Sequence, residues 1–222
     1  MSTPVRTIDL TELLAAATPF IDVRAPAEFA QGAVPGAVNL PILSDAERHQ
    51  VGVTYKQSGQ AEAIATGEAL VSGTTRTERI DAWIRFAERH PNTWLYCWRG
   101  GLRSQTAQRW LHERGLDVAC VPGGFKALRQ TCLELLARAP EQKSWLVLGG
   151  RTGSGKTRII RARQEAIDLE GIANHRGSAF GAQPGGQPTP VNFDNQLAVA
   201  FLRHNQRRLL LEDESRTIGR LA

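Results

Sequence analysis

The chain is poor in sulfur and in aromatic hydroxyls. Its 222 residues hold three cysteines, one methionine and two tyrosines. Cys97, Cys120 and Cys132 show neither a Cys-x-x-Cys pair nor a Cys/His spacing of the kind that holds zinc. An odd, sparse set also argues against a disulfide framework and fits thiols kept reduced. Long apolar runs are missing too: none approaches the ~20 residues that a bilayer span needs. The opening stretch MSTPVRTIDLTELLAAATPF has no basic-then-apolar leader pattern and contains Asp9 and Glu12. The expectation is a cytoplasmic protein with no membrane partner. No internal repeat stands out.

Basic residues, in contrast, are in excess: 27 Lys and Arg against 22 Asp and Glu, a net charge of +5. That balance permits nucleic acid or phosphorylated ligands without requiring them. Hydrophobic residues make up 41%, ordinary for a globular protein. The length suits one large domain or two small ones.

The first ~138 residues alternate strand and helix signals, which predicts an α/β domain with a mostly parallel sheet. TPFIDVR (18–24) reads as a buried strand with Phe20, Ile21 and Val23 apolar. A short helix follows around Pro26–Ala30, with Pro at a tolerated early position. Residues 44–75 are polar and glycine-rich, and only part of them is expected to be helical. RTERIDAWIRFAERH (76–90) places Ile80, Trp83, Ile84 and Ala87 on one helical face. TWLYC is a strand ending at Cys97. SQTAQRWLHERG (104–115) is a helix with Ser104 as the expected N-cap and Gly115 just past its end. APEQKS (139–144) reads as a polar linker. A second domain is expected over 145–222, with a loop at GAQPGGQPTP (181–190).

Cys97 opens the stretch YCWRGGLRS. A strand, a cysteine, a glycine turn and a helix N-terminus make a cradle for an anion, because backbone N–H groups and the helix dipole converge there. Gly100 and Gly101 permit the required backbone angles. Arg99 and Arg103 add positive charge, which favours the thiolate. A buried core thiol explains Cys120 and Cys132 but leaves the glycines and arginines around Cys97 unexplained.

Three motifs in order resemble the rhodanese superfamily: FIDVRAPAEFAQGAVPGAVNLP, YCWRGGLRS and VPGGFKAL. The resemblance spans about residues 9–138 and implies a catalytic Cys97. Five residues separate Cys97 from Arg103, where many rhodaneses have four. Cys-x5-Arg is also a phosphatase spacing and makes a wider cradle.

LVLGGRTGSGKT contains Gly150, Gly153, Gly155, Lys156 and Thr157 in the order of a phosphate-binding loop, between an apolar strand and a helix read over RIIRARQEA. The loop amides and Lys156 hold phosphates, and Thr157 is a candidate Mg ligand. RRLLLEDES reads as a strand whose terminal acid, Glu212 or Asp213, is a candidate metal-side carboxylate. His175 and Arg176 are a candidate basic contact. No metal is expected in the first domain.

The whole pattern, with NHRGSAFG and EDESRTIG, resembles the tRNA 2-selenouridine synthase family. That resemblance implies action on wobble 2-thiouridine of tRNA. It implies S-geranylation by geranyl diphosphate, then selenium from selenophosphate carried on Cys97 as selanyl-cysteine. In the expected loading, the thiolate attacks selenium and phosphate leaves, stabilised by loop amides and arginines. An enzyme supplying selenophosphate is an implied partner, and a monomer is expected. The phosphate loop is assigned to geranyl diphosphate, with ATP or GTP as an alternative. The arginines over 151–163 and 203–220 are candidate tRNA contacts, and Tyr55 a candidate stacking residue. Family members are longer at the C-terminus, so the P-loop domain is expected to be partial. Two alternatives stand beside this reading: a rhodanese-fold cysteine phosphatase, and a non-catalytic rhodanese module with an inert P-loop remnant.

Overall fold

The computed structural model describes residues 8–151, 153–178, 181–204, 206–214 and 217–221. It divides into two compact units. One is built on Ala16–Leu128, the other on Arg129–Ala222 together with Leu10–Ala15.

The first unit carries a four-stranded parallel sheet. Its strands are β1 (Phe20–Asp22), β2 (Ala37–Asn39), β3 (Trp94–Tyr96) and β4 (Ala119–Cys120), in the order β2-β1-β3-β4. Register pairs Asp22 with both Asn39 and Tyr96, so the strand ends align and Cys97 follows directly at the carboxyl edge. Ligands of parallel sheets gather at that edge. The core packs Ile21, Val23 and Leu95 against Trp83, Trp110 and Leu111. Trp83 and Trp110 stack with centroids 6.3 Å apart, and the Trp83 indole N–H donates to the Leu40 carbonyl at 2.9 Å. Helix α2 (Pro26–Gln31) starts with its proline in the first turn, and the Glu28 carboxylate accepts from the Ala25 amide.

Residues 44–75 are far more helical than their composition predicts. Helix α3 runs over Asp45–Leu70 and α4 over Gly73–Arg89. A reciprocal cap starts α3: the Ser44 amide donates to Glu47 Oε2 at 2.7 Å and the Glu47 amide to Ser44 Oγ at 3.3 Å. One residue interrupts α3, Gly59, with φ +82°. The expected N-cap of α5 (Leu102–Glu113) is also displaced. Gly101 takes that place, and Ser104 lies inside the first turn. Gly115 does end the helix with φ +79°.

The linker expected over 139–144 is not a loop. Helix α6 spans Gly124–Gln142 with Pro140 inside it, and β5 (Ser144–Leu148) begins two residues later. Pro140 sits in the last turn, where a carbonyl partner can come from outside the helix: the Trp145 indole N–H donates to its carbonyl at 3.2 Å.

In the second unit, β5, β6 (Ala166–Ile167) and β7 (Arg208–Glu212) form a parallel sheet in the order β5-β7-β6. Leu148 pairs with Glu212, so the acidic end of β7 lies beside the start of the glycine loop. Helix α7 (Lys156–Arg161) is shorter than predicted, because Ala166 and Ile167 are taken into the sheet opposite Leu210 and Leu211. Helix α8 (Leu169–Ala173) is capped by Asp168. The loop before Pro190 is as predicted. It ends at Thr189, which caps α9 (Pro190–Arg203), against which α1 (Leu10–Ala15) packs. Leu146 and Val147 of β5 are 47% and 62% exposed.

Candidate active site

Cys97 is buried, 3% exposed, at the mouth of the loop between β3 and α5. Its Sγ lies 3.2 Å from the Ser104 hydroxyl and 3.8 Å from the Gly101 carbonyl. The same hydroxyl lies 2.9 Å from Gly101 O, so its single proton goes to that carbonyl while Cys97 is a thiol and turns to the sulfur when Cys97 is ionised. Burial pushes the Cys97 thiol up. Hydrogen bonds from the Ser104 side chain and from the Ser104 and Arg99 amides, with the Arg103 charge, outweigh it, so the net shift is downward. Burial acts without that compensation on Cys120 and Cys132, whose thiols are pushed up to about 12. The three cysteines are thus chemically distinct, and only Cys97 is drawn toward the thiolate.

Gly100 takes φ +67°, as the turn requires, but Gly101 sits at φ −95° and could accept a side chain's backbone geometry. A second glycine pair supports the loop from below. A Cβ on Gly124 would lie 2.3 Å from the Cys97 carbonyl oxygen and 2.5 Å from the Gly100 nitrogen. Instead the Phe125 amide donates to Cys97 O at 2.8 Å and the Lys126 amide to Trp98 O at 2.9 Å.

Arg103 is not a free cradle residue. Its guanidinium holds the Glu28 carboxylate in two hydrogen bonds, 2.5 and 3.1 Å, and Arg48 lies 3.9 Å from the same carboxylate. Burial pushes the Glu28 carboxyl up, yet Arg103 and the Ala25 amide bring it below the usual range. Arg99 is exposed. Beneath the loop, Arg24 is fully buried and bound to Asp22 at 2.6 Å, with its second contact on the Gly32 carbonyl at 2.8 Å. The guanidinium lies over the Phe125 ring at 3.9 Å and 5.6 Å from the Trp98 ring centroid. The Asp-x-Arg motif is therefore a strut under the two aromatics that flank the loop. Its Nη1 has no hydrogen-bond partner among the described residues.

In the second unit, Gly150, Gly153 and Gly155 have φ of +155°, +83° and +88°. Lys156 Nζ donates to the Gly150 carbonyl at 2.7 Å, folded back over the loop. The Thr157 hydroxyl donates to Glu170 Oε2 at 2.9 Å, and the Glu170 amide donates to Glu212 Oε1 at 3.0 Å. Glu212 is 2% exposed, and its Oε2 has no hydrogen-bond partner among the described residues. Carboxylate oxygens of Glu170, Glu212 and Glu214 lie within 4.8 Å of one another. Burial first, then the neighbouring acids, push the Glu212 and Glu214 carboxyls up. Of the two acids expected at the end of β7, Glu212 faces this cluster, whereas Asp213 is exposed next to Gly149. His175 is buried, with Nδ1 accepting from the Gly177 amide at 3.1 Å, a local structural role. Of the candidate tRNA-contacting arginines, Arg161 pairs with Asp168 at 2.7 Å, and Arg216 lies outside the described residues.

Sequence reasoning missed Ser104, Glu28, Glu170 and Glu214 as members of these clusters. Glu28 had a signal, since it lies in the Glu-Phe part of the first rhodanese motif. Glu170 and Glu214 had none at the level of spacing.

Comparison with known proteins bears on both halves. A rhodanese-like domain model matches residues 8–131, and a model described as the tRNA 2-selenouridine synthase AAA domain matches residues 143–222. A protein from Shewanella loihica named tRNA 2-selenouridine synthase is 54% identical over 213 residues, covering 95% of this chain and 57% of the relative. One of the same name from Shewanella frigidimarina is 48% identical over 225 residues, covering 100% of this chain and 62% of the relative. The chain thus spans about three-fifths of the length of the curated relatives it matches. Among solved structures, the N-terminal domain of a Clostridium difficile 630 protein described as ATP/GTP binding matches at a TM-score of 0.50 and 32% identity. The match covers 53% of this chain and 90% of that one. Among the described residues no helix is long and apolar enough to cross a membrane.

Proposed function

The chain belongs to the tRNA 2-selenouridine synthase family, with a rhodanese-like domain over its first part, and from that premise we propose that it exchanges sulfur for selenium at the wobble 2-thiouridine of tRNA. One observation carries the reading: Cys97 alone among the three thiols is drawn toward the thiolate, inside a loop of amides suited to an anion. Cys97 accepts selenium from selenophosphate and holds it as selanyl-cysteine. The protein acts in the cytoplasm as a monomer, beside an enzyme that supplies selenophosphate.

Electron counting adds a requirement. Attack of the thiolate on the selenium of selenophosphate forms an S–Se bond, breaks the P–Se bond and leaves its electron pair on phosphorus, which departs two electrons reduced, as phosphite. Loading that ends in orthophosphate consumes a two-electron acceptor, such as a low-molecular-weight disulfide.

The second unit handles geranyl diphosphate. The 2-thiouridine sulfur attacks C1 of the geranyl chain and the diphosphate leaves, held by the loop amides and by Lys156 released from Gly150. The buried Glu212 Oε2, without a hydrogen-bond partner among the described residues, the Thr157 hydroxyl and the adjoining Glu170 and Glu214 fit a divalent cation such as Mg. A cation held there would offset the charge of the diphosphate.

The bidentate Arg103–Glu28 pair weighs against a cysteine phosphatase, which would need that guanidinium for phosphate. Intact mass after incubation with selenophosphate, with and without a disulfide oxidant, tests the reading. Added selenium is expected on the parent and none on Cys97→Ala. Equal retention by both proteins would refute it, and steady hydrolysis of an aryl phosphate would favour the phosphatase.

A further inference from the structure

The first unit contains a pocket that the Cys97 chemistry does not use, of about 590 Å³. That volume lies within the range of small-molecule sites. Its walls come from α3 and α5. Gly59 makes α3 double back. A Cβ on Gly67 would lie 3.7 Å from Val51 Cγ2, whereas residues 16 apart in a straight helix are about 24 Å apart. The inner faces of the two arms, with Val51 and Tyr55 on one and Ala63 and Ile64 on the other, line the space. The third wall is the first two turns of α5, with Leu102, Thr106 and Trp110. The pocket therefore begins where the cysteine loop ends, and Arg103 belongs to both.

Three cations, Arg48, Lys56 and Arg103, and one acid, Glu68, line this largely apolar space; Arg103 and Arg48 already share the Glu28 carboxylate, so the charge offered to an occupant comes first from Lys56. Tyr55, Ile64 and Leu102 remain 58%, 39% and 48% exposed, a cluster of uncovered apolar side chains at one place. An occupant must therefore be apolar in its body and anionic at its attachment.

We infer that this pocket takes the S-linked isoprenoid chain of the alkylated wobble nucleoside, with an RNA backbone phosphate beside Lys56. The inference rests on the function proposed above and assigns the chain to the rhodanese-like unit rather than to the phosphate loop. It brings the carbon–sulfur bond to be broken next to Cys97, and gives the departing thiol's chain a place to lie.

The test uses the full chain and two anticodon stem-loop RNAs, one bearing 2-thiouridine and one bearing S-geranyl-2-thiouridine. The parent should bind the geranylated RNA at least about tenfold more tightly, because a buried aliphatic chain adds that much or more. Ile64→Glu places a charge in the lining and Gly67→Leu fills the gap between the arms. In both, the ratio of the two affinities should fall to within about threefold. A parent ratio near one, or an unchanged ratio in both folded variants, overturns the inference. A diazirine on the chain of the same RNA gives a readout that needs no variant. Crosslinks should map to residues 48–71 or 102–110, and crosslinks confined to 143–222 overturn the inference. Retention of selenium on Cys97 is scored separately. If selenium is retained without any preference for the chain, the pocket fails alone. Preference without retention removes the selanyl-cysteine reading and leaves the pocket supported.

Discussion

Ser104→Ala isolates what activates Cys97. The Ser104 hydroxyl lies 3.2 Å from Sγ, and Ser104 is fully buried, so water does not replace the lost donor without repacking. A hydrogen bond to a charged group contributes about 1.5–3 kcal/mol. Tenfold in ionisation corresponds to about 1.4 kcal/mol. The thiolate population near neutral pH should therefore fall about tenfold or more in the variant. The Gly101 carbonyl keeps the Gln105 amide at 3.1 Å, so the helix start survives. The assay is the pH profile of iodoacetamide alkylation, followed by peptide mass spectrometry. In the parent, Cys97 should react first, with Cys120 and Cys132, pushed up to about 12, as slow internal controls. The variant's profile should shift to higher pH and rejoin the parent's at high pH, where both thiols are ionised. Superimposable profiles for two folded proteins would refute the argument that Ser104 sets the charge on sulfur.

Other outcomes follow from the same geometry. Lys156→Ala should weaken binding of geranyl diphosphate by calorimetry while leaving selenium loading of Cys97 intact, and unchanged affinity would show that Lys156 stays on Gly150. Asp22→Asn strands a fully buried Arg24 without its anion and should lower the unfolding free energy by about 3–5 kcal/mol; a loss below 1 kcal/mol in denaturant titration would count against the strut. The Glu28 carboxyl is held below the usual range, so its stabilisation is present above the ordinary carboxylate pKa and lost as pH falls through the depressed one. The difference in melting temperature between parent and Glu28→Gln should therefore be larger at pH 7 than at pH 3. A difference independent of pH would contradict that pairing.

The two glycine loops were legible because they are local. Strand, turn and helix start lie within a dozen residues, and positive φ at Gly100, Gly153 and Gly155 demands glycine there. Composition hid α3. Three glycines at 52, 59 and 67 lower its intrinsic propensity, and the helix stands through its Ser44–Glu47 cap and the packing of Val51 and Leu70 on the core. Ser104 was misread because the first serine after a glycine turn resembles a cap, whereas the backbone of Gly101 begins the helix without a side-chain cap. Glu170 and Glu212 are 42 residues apart and meet only through the placing of α8 beside β7, which no spacing rule contains. Helix α9, in contrast, had a readable start in Thr189-Pro190 that went unread.

The first turn of α6 does more than close the unit. Its amides at Phe125 and Lys126 pull the carbonyls of Cys97 and Trp98 toward themselves. A trans peptide is planar, with C=O and N–H pointing in opposite directions. Turning those two carbonyls toward α6 therefore turns the Trp98 and Arg99 N–H groups away from it, and the Arg99 amide is one of the donors that steady the charge on Cys97. Helix α6 thus acts as a mould that sets the polarity of the loop, although its own N–H groups never face the sulfur. A substitution that frays α6 at Gly124 would remove the restraint on the peptide dipoles at the nucleophile without changing a single residue of YCWRGGLRS.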